Sequence, residues 1–346
     1  MIALLLMSLM GAMSFVLTIE TDSEPYDPNP DGMLEPPDDV DGLVMQSGQN
    51  STFIEGSDQD DWIAAGRSCD TVDGGAGDDT IFGERGRDML HGEDGNDLLN
   101  GGAWHDVLDG GAGTDTLLGE TGQDTLSGGE GDDLLDGGSW DDLLVGGAGA
   151  DVLFGGNGDD ILVGHVIDTG DGNTTDISAR AYHETLELGY DSRGSYEAMT
   201  PAEQETFLSD ALEQMNALYP GLEAGNDAGD TMHGGQGNDA IYLTHDDDLA
   251  YGGSGDDRFV LTEWSDHLAT GDDLAPQVAD YGTGSDVLVV EYLAAEGGTA
   301  PAITVDTLEN GDQLVRANGT AIVHLSAPVI AVTASDINLI AIEPAA

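Results

Sequence analysis

Lysine is absent from this chain, and seven arginines set against 69 Asp and Glu leave a formal net charge of −62. Such a chain cannot neutralise phosphates, so nucleic acid and anionic lipid surfaces are excluded as partners. A P-loop is excluded as well, because it requires lysine. The single cysteine, Cys69, rules out an intramolecular disulfide, so an exported form must be locked by something else. Aromatic residues make up 5 % of the chain, too few for a conventional aromatic-rich core.

Catalytic signatures are also missing. No serine sits in a G-x-S-x-G elbow. The stretch His183-Glu184-Thr185-Leu186-Glu187 lacks the second histidine that a zinc protease helix requires, since Glu187 stands in its place. Adjacent acids such as Asp78-Asp79, Asp132-Asp133 and Asp159-Asp160 look like acid/base dyads, but a nine-residue phase accounts for them as turn positions five and six. No enzymatic domain is expected.

What the chain has is glycine, 52 residues of it, and a hydrophobic content of 39 % that is too high for simple disorder. Both are periodic. From Gly56 to Val163 the sequence divides into twelve nine-residue units without a slip, for example GGAGDDTIF (74–82), GERGRDMLH (83–91) and GEDGNDLLN (92–100). The sixth position is always aspartate: Asp61, Asp70, Asp79, Asp88, Asp97, Asp106, Asp115, Asp124, Asp133, Asp142, Asp151 and Asp160. The eighth is always aliphatic, from Ile63 and Val72 to Leu162. A second block, Gly225–Val260, holds four more units with Asp230, Asp239, Asp248 and Asp257 at position six.

Glycines at positions one, two and four permit positive φ, so six residues can turn tightly with their carbonyls directed inward. The last three residues are extended, and the middle one faces a core. Two units then make an eighteen-residue coil, and turn n stacks on turn n+2. An ion between stacked turns would take carbonyl oxygens and sixth-position carboxylates, an all-oxygen cage suited to Ca²⁺ rather than Mg²⁺. The candidate metal-site residues are therefore the sixteen aspartates together with the turn glycines Gly75, Gly77, Gly86, Gly95, Gly111, Gly113, Gly122, Gly129, Gly131, Gly147, Gly149, Gly156, Gly158, Gly235, Gly237, Gly253 and Gly255. One ion per stacked pair gives on the order of ten to twelve ions. The unit LTHDDDLAY (243–251) lacks its opening glycines and has Ala250 at the core position, so a distorted or empty site is expected there.

These units resemble the RTX (repeats-in-toxin) family, the hemolysin-type calcium-binding nonapeptides with the pattern G-G-x-G-x-D-x-U-x. The resemblance implies an all-β fold, a right-handed parallel β-roll, together with calcium-dependent folding and export through type I secretion machinery to the extracellular space or cell surface.

Departures from the pattern carry a second expectation. Gln59, Ser68, Trp104 and Trp140 replace the fourth-position glycine. Trp104 and Trp140 are four units apart, hence on one side of the roll, where they either cover neighbouring turns or bind a cell-surface glycan or partner. His91 and His233 at position nine and His105 at position five read as surface substitutions.

Outside the repeats, 1–20 is an apolar segment without flanking basic residues, readable as a membrane anchor or a signal peptide. Residues 21–55 form an acidic, proline-bearing linker. Within the insertion 164–224, Thr200 as N-cap, Pro201, Glu203 and the Pro220-Gly221 stop predict one helix. In 261–346, the segment ADYGTGSDVL (279–288) resembles the closing stretch of RTX rolls. Strands 303–307, 313–317 and 320–325, around Asn310-Gly311 and Asn318-Gly319, predict a C-terminal antiparallel cap. By resemblance, TASDINLIAI belongs to a secretion signal. The sum is an exported calcium-binding β-roll that folds on calcium uptake, with an adhesin or polysaccharide-binding module as the alternative and an RTX-linked extracellular enzyme as the least favoured reading.

Overall fold

One aliphatic side chain every nine residues, pointing inward from alternate sides, dictates two facing sheets. The computed structural model has this arrangement. It describes residues 16–18, 42–48, 50–165, 229–244, 247–261, 275–282, 285–293, 300–326, 328–329 and 331–342. Among these every regular element is a strand. The helix expected over 200–221, like most of the apolar segment at 1–20, lies outside the described residues.

From Val44–Gln46 to Val287–Leu293 consecutive strands alternate between a 14-stranded and an 11-stranded sheet, and within each sheet a strand pairs in parallel with the strand one coil away. Thr71–Ala76 pairs with Met89–Asp94, matching Val72 to Leu90, an offset of eighteen residues. Leu98–Ala103 pairs with Thr116–Thr121 in the same register, matching Leu99 to Leu117. A coil therefore advances the chain by one strand spacing, about 4.8 Å.

The core is a double column of position-eight side chains. Ile63, Ile81, Leu99, Leu117, Leu135, Leu153 and Met232 come from one sheet, and Val72, Leu90, Leu108, Leu126, Leu144, Leu162 and Ile241 from the other, all 0 % exposed. Full burial of such a side chain contributes about 1.5–3 kcal/mol. Ala250 continues the column with less volume, and Phe259 faces it from the opposite sheet.

The second repeat block does not start a new roll. Val152–Asn157 pairs directly with Thr231–Gln236, and Ile161–Val163 with Ala240–Leu243, so the stack continues across the insertion in unbroken register. At the C-terminal end, Thr320–Leu325, Gln313–Ala317 and Ile303–Thr307 form the expected antiparallel meander. Asn318 and Gly319 have φ of 51° and 92°, the paired positive values that a two-residue hairpin turn needs. The meander joins the larger sheet through a parallel pairing of Thr320–Leu325 with Gln277–Val278. The other sheet ends in Ile337–Ile342, paired with Val287–Leu293, so the tail segment INLIAI occupies a place in the fold.

Candidate metal centre

Each turn delivers its aspartate to the inside of the roll. The sixth-position side chains from Asp61 to Asp257 are 1–3 % exposed. Their partners repeat. The main-chain N–H of Asp79 donates to Oδ1 of Asp97 (2.7 Å), that of Asp97 to Asp115 (2.7 Å) and that of Asp115 to Asp133 (2.8 Å). On the opposite edge, Asp88, Asp106 and Asp124 donate to Asp106, Asp124 and Asp142 at 2.8–2.9 Å. Both ladders run through the insertion, where Asp151 donates to Asp230 and Asp160 to Asp239, each at 2.9 Å.

The second oxygen is the unusual one. Oδ2 of Asp70, Asp79, Asp88, Asp97, Asp106, Asp115, Asp124, Asp133, Asp142, Asp160, Asp239 and Asp257 is buried and accepts no hydrogen bond. Desolvation, reinforced in most of them by neighbouring carboxylates, raises their pKa values. Asp79, Asp97 and Asp115 are pushed up to about 7, Asp124 and Asp239 to about 8, and Asp142 to about 9. A buried unpaired carboxylate is costly, so these rows call for protons or cations. No three His, Cys, Asp or Glu side chains converge among the described residues, so a cation here would complete its shell with main-chain oxygens.

Those oxygens are in place, and the glycines explain how. At position four, a Cβ added to Gly95, Gly113 or Gly131 would lie 1.6–1.8 Å from the carbonyl oxygen of Gly77, Gly95 or Gly113 in the stacked turn. At position two, a Cβ on Gly111 would lie 2.2 Å from the Glu93 carbonyl. The described glycines at both positions carry positive φ, as expected, and Ser68, Glu84, Glu93, Trp104, Glu120 and Trp140 are held in the same left-handed region without being glycine. Position one corrects the expectation: among the described residues none of its glycines has a positive φ. Its requirement is for space. A Cβ on Gly92 would sit 2.3 Å from Asp97 Oδ2 and 2.5 Å from the Gly110 carbonyl oxygen. First-position glycines, absent from the candidate ligand set, thus border the carboxylate row throughout. The donor set is carboxylate Oδ2 plus turn carbonyls, the hard oxygen shell that Ca²⁺ takes.

Two expected ligands stand apart. Ser57 N–H donates to Asp61 Oδ2 (2.6 Å) and Thr244 N–H to Asp248 Oδ2 (2.8 Å), so their own turns satisfy these carboxylates. Ser57 and Thr244 differ from most position-two residues in lacking a positive φ. The unit 243–251 is distorted in this sense. Asp286, not singled out in the sequence, repeats the pattern: Asp257 N–H donates to its Oδ1 (3.1 Å) and Gly282 N–H to its Oδ2 (2.6 Å). It is the last rung of its ladder.

The insertion interrupts a turn from within. A Cβ on Gly164 would meet Asp230 Oδ2 at 2.1 Å, just as one on Gly146 meets Asp151 Oδ2 at 2.4 Å. Gly164 and His165 therefore serve as positions one and two, and Gly229 and Asp230 as five and six, of one turn. The His165 N–H donates to Thr244 Oγ1 (3.1 Å), the position-two residue stacked above it.

The side chains of the remaining substitutions stand apart from the carboxylate rows. Trp104 is 63 % exposed and Trp140 47 %. His91 approaches Asp109 (3.7 Å), which raises its pKa. His233 stacks between Phe154 and Tyr251 with centroids 4.9 and 4.5 Å away, and His105 Nδ1 accepts from the Gln123 N–H (2.7 Å).

The comparisons agree with this geometry. A family model of the RTX calcium-binding nonapeptide repeat matches residues 48–81, 55–90, 73–108, 91–126, 109–139, 137–165 and 224–259. Coil stacking and an oxygen-lined turn define a calcium-binding parallel β-solenoid. The chain is an RTX repeat protein. None of the curated proteins matches it.

Proposed function

We propose that this protein is exported unfolded and takes up calcium outside the cell to form the roll, which is itself the functional body and carries no catalytic step. The observation that bears this reading is the row of buried Oδ2 atoms without hydrogen-bond partners. In a calcium-poor compartment these carboxylates, and a net charge of −62, oppose compaction. In millimolar calcium the ions satisfy the oxygens, and binding free energy becomes folding free energy. Extracellular calcium modules bind at about 10⁻⁴ to 10⁻³ M, which suits such a switch. With one cysteine, the chain relies on ions where other exported proteins use disulfides.

Far-UV circular dichroism of the full chain during a calcium titration tests this, with magnesium as control. A cooperative coil-to-β transition in calcium alone, reversed by chelator, is expected. A roll already formed in chelator at neutral pH overturns the proposal.

A further inference from the structure

Three of the chain's seven arginines, Arg67, Arg85 and Arg87, gather on one edge of the first coils of the roll. Arg67 and Arg85 hold position three of stacked turns and are bridged through the backbone, with Arg85 N–H donating to Gly66 O (3.0 Å) and Ser68 N–H to Arg85 O (2.8 Å). Their chains are thus one strand spacing apart, about 4.8 Å. Arg87 follows at position five of the same turn as Arg85. All three side chains are exposed. One coil further on, Trp104 is held with φ at 91° and 63 % of its surface open, its N–H fixed on Thr121 O (2.8 Å). The arginines and this indole line a common groove of about 360 Å³.

The composition of these columns makes the cluster informative. Along the same edge, the position-three column continues with Ala103, Thr121, Ser139 and Asn157, and the position-five column holds Cys69, His105, Gln123, Asp141 and Asp159. Three arginines thus stand together in a chain of −62, with an exposed indole beside them. Forked guanidinium groups favour planar or multi-oxygen anions such as carboxylate and sulfate. An open indole face offers a flat apolar platform that fits the C–H face of a sugar ring. Trp140, two coils beyond, is not part of the groove lining.

We propose that Arg67, Arg85, Arg87 and Trp104 form a binding site for an anionic oligosaccharide, whose carboxylate or sulfate groups the arginines hold while a ring stacks on the indole. The site requires the calcium-loaded roll, because the neighbouring carboxylates would otherwise repel a polyanion.

Isothermal titration calorimetry of the calcium-loaded full chain decides the matter, using trigalacturonate, a sulfated trisaccharide and neutral maltotriose. Trimers are short enough to avoid gelling with calcium. Saturable binding of at least one anionic trimer, weakened by added salt and absent for maltotriose, is expected. Which anion binds tells a uronate from a sulfated source. Arg67→Gln and Arg87→Gln should each weaken binding about tenfold, while the calcium midpoint for folding stays that of the parent. Trp104→Gly, which places glycine at a left-handed position, should also lose binding. No heat with either anionic trimer at millimolar concentration overturns the proposal, as does binding unchanged in both arginine variants. Arginine-dependent self-association of the chain without sugar would assign the groove to a second copy and overturn it equally.

Discussion

Asp97 donates its main-chain N–H to Oδ1 of Asp115 across 2.7 Å, while Asp115 Oδ2 stays buried without a hydrogen-bond partner. One oxygen of the carboxylate thus builds the roll and the other waits for a cation. Substitution Asp115→Asn separates the two roles. The amide oxygen can still accept from Asp97, and the buried charge is gone. Asp115→Asn should therefore be more stable than the parent in chelator, yet its calcium midpoint should rise roughly fivefold, because ligand charge sets affinity. Calorimetric titration should also count fewer ions.

Asp248→Asn is the contrasting case. Thr244 already satisfies Asp248 Oδ2 at 2.8 Å. Ion stoichiometry by native mass spectrometry should match the parent for Asp248→Asn and fall for Asp115→Asn. Equal losses at both positions would show that the Thr244 contact gives way to calcium.

Glycine positions one and two should respond in opposite ways to substitution. Gly92→Ala places a methyl 2.3 Å from Asp97 Oδ2 and 2.5 Å from Gly110 O, both in the ion row. It should destabilise the calcium-bound roll by about 1–3 kcal/mol, as overpacking does. Glu120, by contrast, holds position two at φ 71° despite its side chain. Glu120→Gly relieves a left-handed strain of about 1–2 kcal/mol, offset in part by glycine's greater freedom when unfolded. Denaturant melting in saturating calcium should show loss for the first and a small gain for the second.

The core column gives the largest effect. Leu117 is 0 % exposed and stacks between Leu99 and Leu135 in the register of the sheet. Leu117→Ala should cost about 2–5 kcal/mol, depending on how far the neighbouring coils close the cavity. Because stability in a solenoid is passed between nearest neighbours, hydrogen exchange should rise most in the adjoining coils.

The period of nine revealed the coil, the inward aspartates and the core column, because one residue type recurs wherever one physical role recurs. Position one escaped because glycine serves both positive φ and close approach, and a sequence cannot say which role selects it. The split turn escaped for another reason. Gly164 and Asp230 belong to one turn, but 166–228 intervenes and the phase is lost in the sequence. Asp286 did leave a signal: Gly284-Ser285-Asp286-Val287-Leu288 keeps the second half of the repeat pattern after a 29-residue step from Asp257. The Arg67–Trp104 groove was not legible either, because its members are separated along the chain and meet only through stacking.

Acidity should substitute for calcium. Burial lifts Asp257 to about 6, Asp79, Asp88, Asp97, Asp106, Asp115, Asp133 and Asp160 to about 7, Asp124 and Asp239 to about 8 and Asp142 to about 9, against 3.8 for the free side chain. Folded-state values above the unfolded one mean that the folded ion-free chain binds more protons, so its stability falls as pH rises. The contribution is complete below about pH 4 and is lost across about pH 6 to 9. In chelator, far-UV circular dichroism should therefore show β structure near pH 4 and its loss towards pH 8. With calcium the pH dependence should reverse in sense, because protons compete for the same oxygens, and the calcium midpoint should rise as pH falls below about 7. An ion-free chain that stays unfolded at every pH would mean that protonation does not relieve the buried carboxylates. The cations would then act by bridging turns as well as by cancelling charge.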